Sequence, residues 1–171
     1  MQEIYRICAS AGVNGICVRL YDGGMMTVAI RAMRVEDAEA VALLCGQLGY
    51  ERTVEQVRRW VAGMDEATQA AFVACVEGEV MGWIETAIVR HLAEDAYALI
   101  CGLVVKDGVR GCGVGQALCE HVEAWAAEMG LKRVRVASRV TRPRAHEFYR
   151  RLGFRDVKTS LVLDKECAGE R

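Results

Sequence analysis

The chain has 171 residues, 53% hydrophobic and 26% charged, enough to bury the core of one globular domain and wrong for a disordered chain. Lys and Arg total 22 against 23 Asp and Glu, a formal net charge of −1 that speaks against a strongly basic nucleic-acid binder. The eight cysteines include no C-x-x-C pair and no companion His cluster, so they read as reduced thiols of a cytoplasmic protein, with neither a disulfide frame nor a metal site.

Residues 1–24 mix Gly, Cys and isolated apolar residues without a sustained period of 2 or 3.6, and end in Asp22-Gly23-Gly24. They are not expected to act as a signal peptide, because Arg6 supplies little charge and Asn14 and Arg19 interrupt any apolar core. Met25 and Met26 follow, so this atypical lead is expected to be either a weakly ordered extension or a stretch upstream of the natural start. No run approaches the ~18 apolar residues of a membrane-spanning helix, so no membrane partner is expected.

Thr27 to Arg31 alternates like a strand. Val35 to Leu48 predicts a helix, with Glu36 and Asp37 in its first turn, Ala38, Val41, Ala42, Cys45 and Leu48 on one face, and Gly49 as its stop. Thr53 and Gln56 form a capping box for a second helix, whose apolar face is Val54, Val57, Trp60, Val61 and Met64. Three strands are expected next: Ala71 to Val76, Val80 to Arg90 after a turn at Glu77-Gly78-Glu79, and Tyr97 to Val105. The last is almost wholly apolar, as a strand covered on both faces should be.

Directly after it comes Lys106-Asp107-Gly108-Val109-Arg110-Gly111-Cys112-Gly113-Val114-Gly115-Gln116, and then an amphipathic helix ending at Gly130. A strand, a glycine loop and a helix N-terminus together suit a phosphate or pyrophosphate, because glycines let the backbone approach an anion and the first amides of a helix lack intrahelical partners. Arg110 adds a full charge at the loop mouth. A Walker loop is excluded because Gly115 is followed by Gln116-Ala117 rather than Lys-Ser/Thr. A dinucleotide fingerprint is disfavoured because Gly111, Gly113 and Gly115 alternate and follow an antiparallel meander.

Arg110, Gly113 and Gly115, with Leu103-Val104-Val105 before them, resemble the cofactor motif of the GNAT superfamily of acyl-CoA N-acetyltransferases. The segment Ala145-His146-Glu147-Phe148-Tyr149-Arg150-Arg151-Leu152-Gly153-Phe154 is similar to its second signature, and a strand at Arg133 to Ala137 lies between. The resemblance spans about Thr27 to Leu163 and places a GNAT-like domain at residues 25–165, with a tail at 166–171. It implies a mixed α/β fold whose mostly antiparallel central sheet, flanked by helices, splays at the cofactor strand. It also implies acetyl transfer from acetyl-CoA to a primary amine of a small molecule, peptide or protein. A non-catalytic acyl-CoA-binding domain is the competing reading.

By the same resemblance, Arg110, Gly111, Cys112, Gly113, Val114, Gly115 and Gln116 hold the pyrophosphate of coenzyme A. Leu103, Val104 and Val105 pair with the pantetheine arm, Gly102 marks the bulge that starts the splay, and Tyr149 is the acid for the leaving thiolate. Two departures stand out. Arg142 occupies a position where relatives carry Asn, and is expected to contact pantetheine or a phosphate. No Glu lies on the buried strand, so Glu85 of the preceding strand is the candidate base, its competing reading being a solvated carboxylate. Cys101 and Cys112 are read as packing residues. The arginines between Lys132 and Arg155 are read as solvated faces or as help with the 3′-phosphate. A homodimer is the default assembly for such a fold, and the acceptor itself is not legible.

Overall fold

A computed structural model describes residues 7–10, 13–19 and 25–167, with side chains from Thr27 onward. Its strands form one seven-stranded sheet in chain order. They are β1 (Ile7–Ser10), β2 (Val13–Arg19), β3 (Met25–Ala32), β4 (Gln69–Val76), β5 (Glu79–Val89), β6 (Tyr97–Val105) and β7 (Val134–Val136). Every neighbouring pair is antiparallel except β6 and β7, which are parallel. The described chain falls into two compact units divided after Ala137. β1 and β2 lie where hydrophobic periodicity assigned no element. Their pairing onto β3 is a tertiary choice that short-range patterning does not encode.

Between β3 and β4 the chain forms α1 (Ala38–Leu48) and α2 (Val54–Ala62). The first predicted helix opens as a 3₁₀ turn over Val35–Asp37. Asp37 takes both guanidinium nitrogens of Arg31 at 2.7 Å and the Arg34 amide at 2.8 Å. Burial alone would raise the Asp37 carboxyl, but Arg31 and the Arg34 amide outweigh it and hold it below the usual range. Gly49 stops α1 in the left-handed region at φ 88°. The α2 capping box closes as predicted, the Gln56 amide donating to Thr53 Oγ1 at 3.2 Å and the Thr53 amide to Gln56 Oε1 at 2.9 Å.

Side chains of β4 alternate between two buried layers. Ala71, Val73 and Cys75 join Val41, Leu44, Cys45 and Val57 from α1 and α2 in one core. Phe72, on the opposite face, meets His121 of helix α3 (Val114–Glu128) edge-on at 4.4 Å. Burial pushes the His121 imidazole below its ordinary value. Helices therefore cover the sheet from both sides. Gly82 of β5 makes a close approach possible, since a Cβ there would sit 2.7 Å from the Val104 carbonyl oxygen.

Candidate functional site

Strand β6 is two-sided only in its first half. It pairs with β7 at Ala98, Leu99 and Ile100, and there the parallel ladder ends. On the β5 side Glu85 opposes Gly102 while Thr86 opposes Ile100, so Cys101 is the extra residue of a β-bulge. From Cys101 to Val105 the edge turned away from β5 has no strand partner among the described residues. The expected cover on both faces also lapses here, Cys101 being exposed and Leu103 half-buried, and β7, only three residues long, does not follow β6 along its edge. Val104 remains in the core opposite Trp83.

The strand runs straight into the glycine loop. The Lys106 amide donates to the Met81 carbonyl at 2.8 Å, and its side chain pairs with Glu79. The Asp107 amide donates to Gln47 of α1 at 3.2 Å. Gly108, Gly111 and Gly113 adopt φ of 88°, 84° and 86°, a region costly for any residue with a Cβ. Arg110 is exposed, with Nε donating to the Val105 carbonyl at 3.3 Å and Nη2 2.9 Å from Asp107. Cys112 is buried and anchors the loop. The first bond of α3 runs from the Ala117 amide to the Gly113 carbonyl at 2.9 Å, so the amides of Val114 and Gly115 precede the helical ladder. No acidic residue sits in that first turn, which leaves the positive end of the helix dipole uncompensated. Gln116 directs its side-chain amide to Glu120 at 2.8 Å.

A cavity of about 390 Å³ opens between α1, α2 and the bulged stretch of β5 and β6. Val41, Cys45, Val57 and Trp83 are its buried floor, and Tyr50, Arg52 and Trp60 its exposed rim. Glu85, Cys101 and Gly102 close the end nearest Leu103. Glu85 is half-buried rather than solvated: burial pushes its carboxyl up, and Arg52 partly opposes that. Loss of water around the sulfur at the cavity wall, although the residue as a whole is exposed, and Glu85 push the Cys101 thiol up to about 11, and burial takes Cys119 to about 12, so neither is a ready thiolate. Gly102 is required by Trp83, because a Cβ there would lie 2.7 Å from the indole ring edge. Of the cavity residues, sequence reasoning singled out Glu85 alone for chemistry. Arg52 and Trp83 carried no local signal, and Trp60 was placed on the apolar face of α2 but stands at the rim.

Tyr149 and Arg142 belong to the second unit, residues 138–171. Its helix α4 (Pro143–Arg151) starts with Pro143 in the first turn and Arg142 as N-cap. Arg142 is half-buried, and its carbonyl accepts the amides of Ala145 and His146. The Tyr149 ring meets Phe148 at 5.1 Å and Phe154 at 5.4 Å, both edge-on. Several arginines of the basic stretch are used structurally: Arg133 and Arg135 both bridge to Glu94, and Arg150 pairs with Asp156 at 2.7 Å. Among the described residues no three His, Cys, Asp or Glu side chains are placed to share a metal ion, and no helix is long and apolar enough to cross a membrane.

Residues 33–154 match the model of the acetyltransferase (GNAT) family. An aminoglycoside N(6′)-acetyltransferase type 1 of Stenotrophomonas maltophilia is 31% identical over 98 residues, which cover 54% of this chain and 64% of that protein, a little under two thirds of its length. A transcriptional regulator from Bacillus halodurans superposes with a TM-score of 0.72 at 25% identity, covering 81% of this chain and 99% of that one. The aminoglycoside N-acetyltransferase AAC(6′)-Iy, solved in complex with CoA, superposes with a TM-score of 0.72 at 20% identity over 82% of this chain and 95% of its own, a likeness of fold.

Proposed function

Because this chain belongs to the acetyltransferase (GNAT) family, we propose that it transfers an acetyl group from acetyl-CoA to a primary amine by direct attack. The observation that carries this reading is the open edge of β6 from Cys101 to Val105, continuous with the glycine loop and the first turn of α3. An extended chain with amide groups can pair along such an edge as an added strand would, and Leu103, Val104 and Val105 are the residues that would hold the pantetheine arm. The loop from Arg110 to Gln116 takes the diphosphate, through main-chain donors and the Arg110 guanidinium. The Leu103 amide is assigned to polarise the thioester carbonyl.

In the transfer the amine nitrogen forms a bond to the thioester carbon, and the carbon–sulfur bond breaks. The amine proton passes to Glu85, directly or through water, and the departing thiolate takes a proton from Tyr149. Arg142 is assigned to pantetheine or phosphate. The free cysteines among the described residues fit a reducing, cytoplasmic setting. Nucleic acid has no part in this reading, since two arginines of the basic stretch are held by Glu94 and another by Asp156.

Titration of the protein with coenzyme A in a calorimeter should give saturable heat, and acetyl-CoA with an amine panel should release thiol. No heat with coenzyme A overturns the reading. Tyr149→Phe should lower turnover about 10²-fold while coenzyme A affinity moves less than about twofold.

A further inference from the structure

The cavity beside the bulge has a composition that selects among amines. Among its lining residues there is one carboxylate, Glu85, and one cation, Arg52, and the rest of the wall is mainly apolar or aromatic. The two charges sense each other, since Arg52 acts against the burial that raises Glu85, yet they form no ion pair among the described residues. A guest that carries both an ammonium and a carboxylate complements this pair. A guest with several ammonium groups finds one carboxylate and meets the Arg52 guanidinium as a like charge. Trp60, Trp83 and Tyr50 offer flat apolar surface to a hydrophobic body. The volume, about 390 Å³, lies at the low end of ligand sites.

We propose that the acceptor is a free α-amino acid with a large apolar side chain, its amine at Glu85 and its carboxylate at Arg52. This rests on the acetyl-transfer reading above. The direction follows from placement. Glu85 opposes Gly102, next to Leu103 where the thioester is assigned, whereas Arg52 stands on the exposed rim ahead of α2. The amine therefore faces the reacting carbon and the side chain packs between α1 and α2.

The test compares thiol release from acetyl-CoA with phenylalanine, leucine and methionine, with phenylethylamine as the decarboxylated partner of phenylalanine, and with kanamycin. The amino acids should exceed both phenylethylamine and kanamycin in kcat/KM by about tenfold or more, the scale of one charge-assisted contact. In Arg52→Ala the preference for phenylalanine over phenylethylamine should shrink to within about twofold, mainly through KM, and Arg52→Lys should recover part of it. Preference for kanamycin or for phenylethylamine sinks the proposal, as does an Arg52→Ala variant that keeps the original ratio. Calorimetry with coenzyme A separates the two levels: no cofactor heat removes the acetyl-transfer reading itself, while cofactor heat without amino-acid turnover removes only the acceptor assignment.

Discussion

Between Ala98 and Ile100, strand β6 is held on both edges, by β5 and by β7, and two of those three residues are buried. Between Cys101 and Val105 its one strand partner among the described residues is β5, and of those five residues Val104 alone is buried. The same apolar sequence thus makes a sealed sheet interior and, one bulge later, an edge of backbone donors and acceptors. In the first half the edge facing away from β5 enters the β7 ladder, whereas in the second half that edge has no strand partner among the described residues and the Val105 carbonyl takes the Arg110 guanidinium instead. The contrast predicts that changes in the closed half act on stability, and changes in the open half act on binding and turnover.

The largest effect is expected at the open end. Glu85→Gln should lower kcat/KM about 10²-fold and abolish the acid limb of its pH profile, which in the native protein lies above the ordinary glutamate range because burial raises that carboxyl. The sign for stability is the opposite of a salt-bridged acid. A folded-state value above the unfolded one means the native state binds the proton more tightly, so Glu85 weakens the fold as pH rises from its ordinary value through its raised one. Glu85→Gln should lose that dependence, as pH-dependent denaturation would register. An unaltered rate profile in the variant removes Glu85 as base.

Arg110→Ala should weaken coenzyme A binding about 10- to 100-fold by calorimetry, and leave denaturant stability within about 0.5 kcal/mol because the side chain is exposed. The reverse outcome, a stability loss with intact affinity, would make Arg110 a brace for the loop. Gly102→Ala should cost about 1–3 kcal/mol of stability and raise the acceptor KM, since the new methyl meets the Trp83 ring on the cavity wall. The smallest effect is set in the closed half. Thr86 pairs with Ile100, is fully buried, and its Oγ1 has no hydrogen-bond partner among the described residues. Thr86→Val keeps the shape and removes the orphaned hydroxyl, so thermal denaturation should show a gain of about 1 kcal/mol. Coenzyme A affinity should not move. A change in that affinity would break the division of β6 into two halves.

Local chemistry explains what was legible. The caps at Thr53 and Gly49, the turn at Glu77-Gly78 and the loop around Gly111 and Gly113 are each decided by a few neighbouring residues, and each stands where the sequence put it. The cavity is different. Arg52, Trp60, Trp83 and Cys101 come from the connection before α2, from α2, from β5 and from β6, and no spacing joins them. Glu85 entered as a stand-in for a base missing from β6, without sign that a bulge at Cys101 would leave it half-buried at the cavity end. The pairing of β2 onto β3 was equally hidden, because strand pairing is set by the partner rather than by the strand.

By itself the sequence determined the order of helices and strands from β3 onward and the backbone loop suited to an anion, because glycines, caps and periodicity act over a few bonds. Only the tertiary structure decided where β7 ends, and with it which part of β6 is left open, and which side chains meet to line the cavity. Those depend on residues far apart in the chain coming to share one volume, a condition that no local pattern carries.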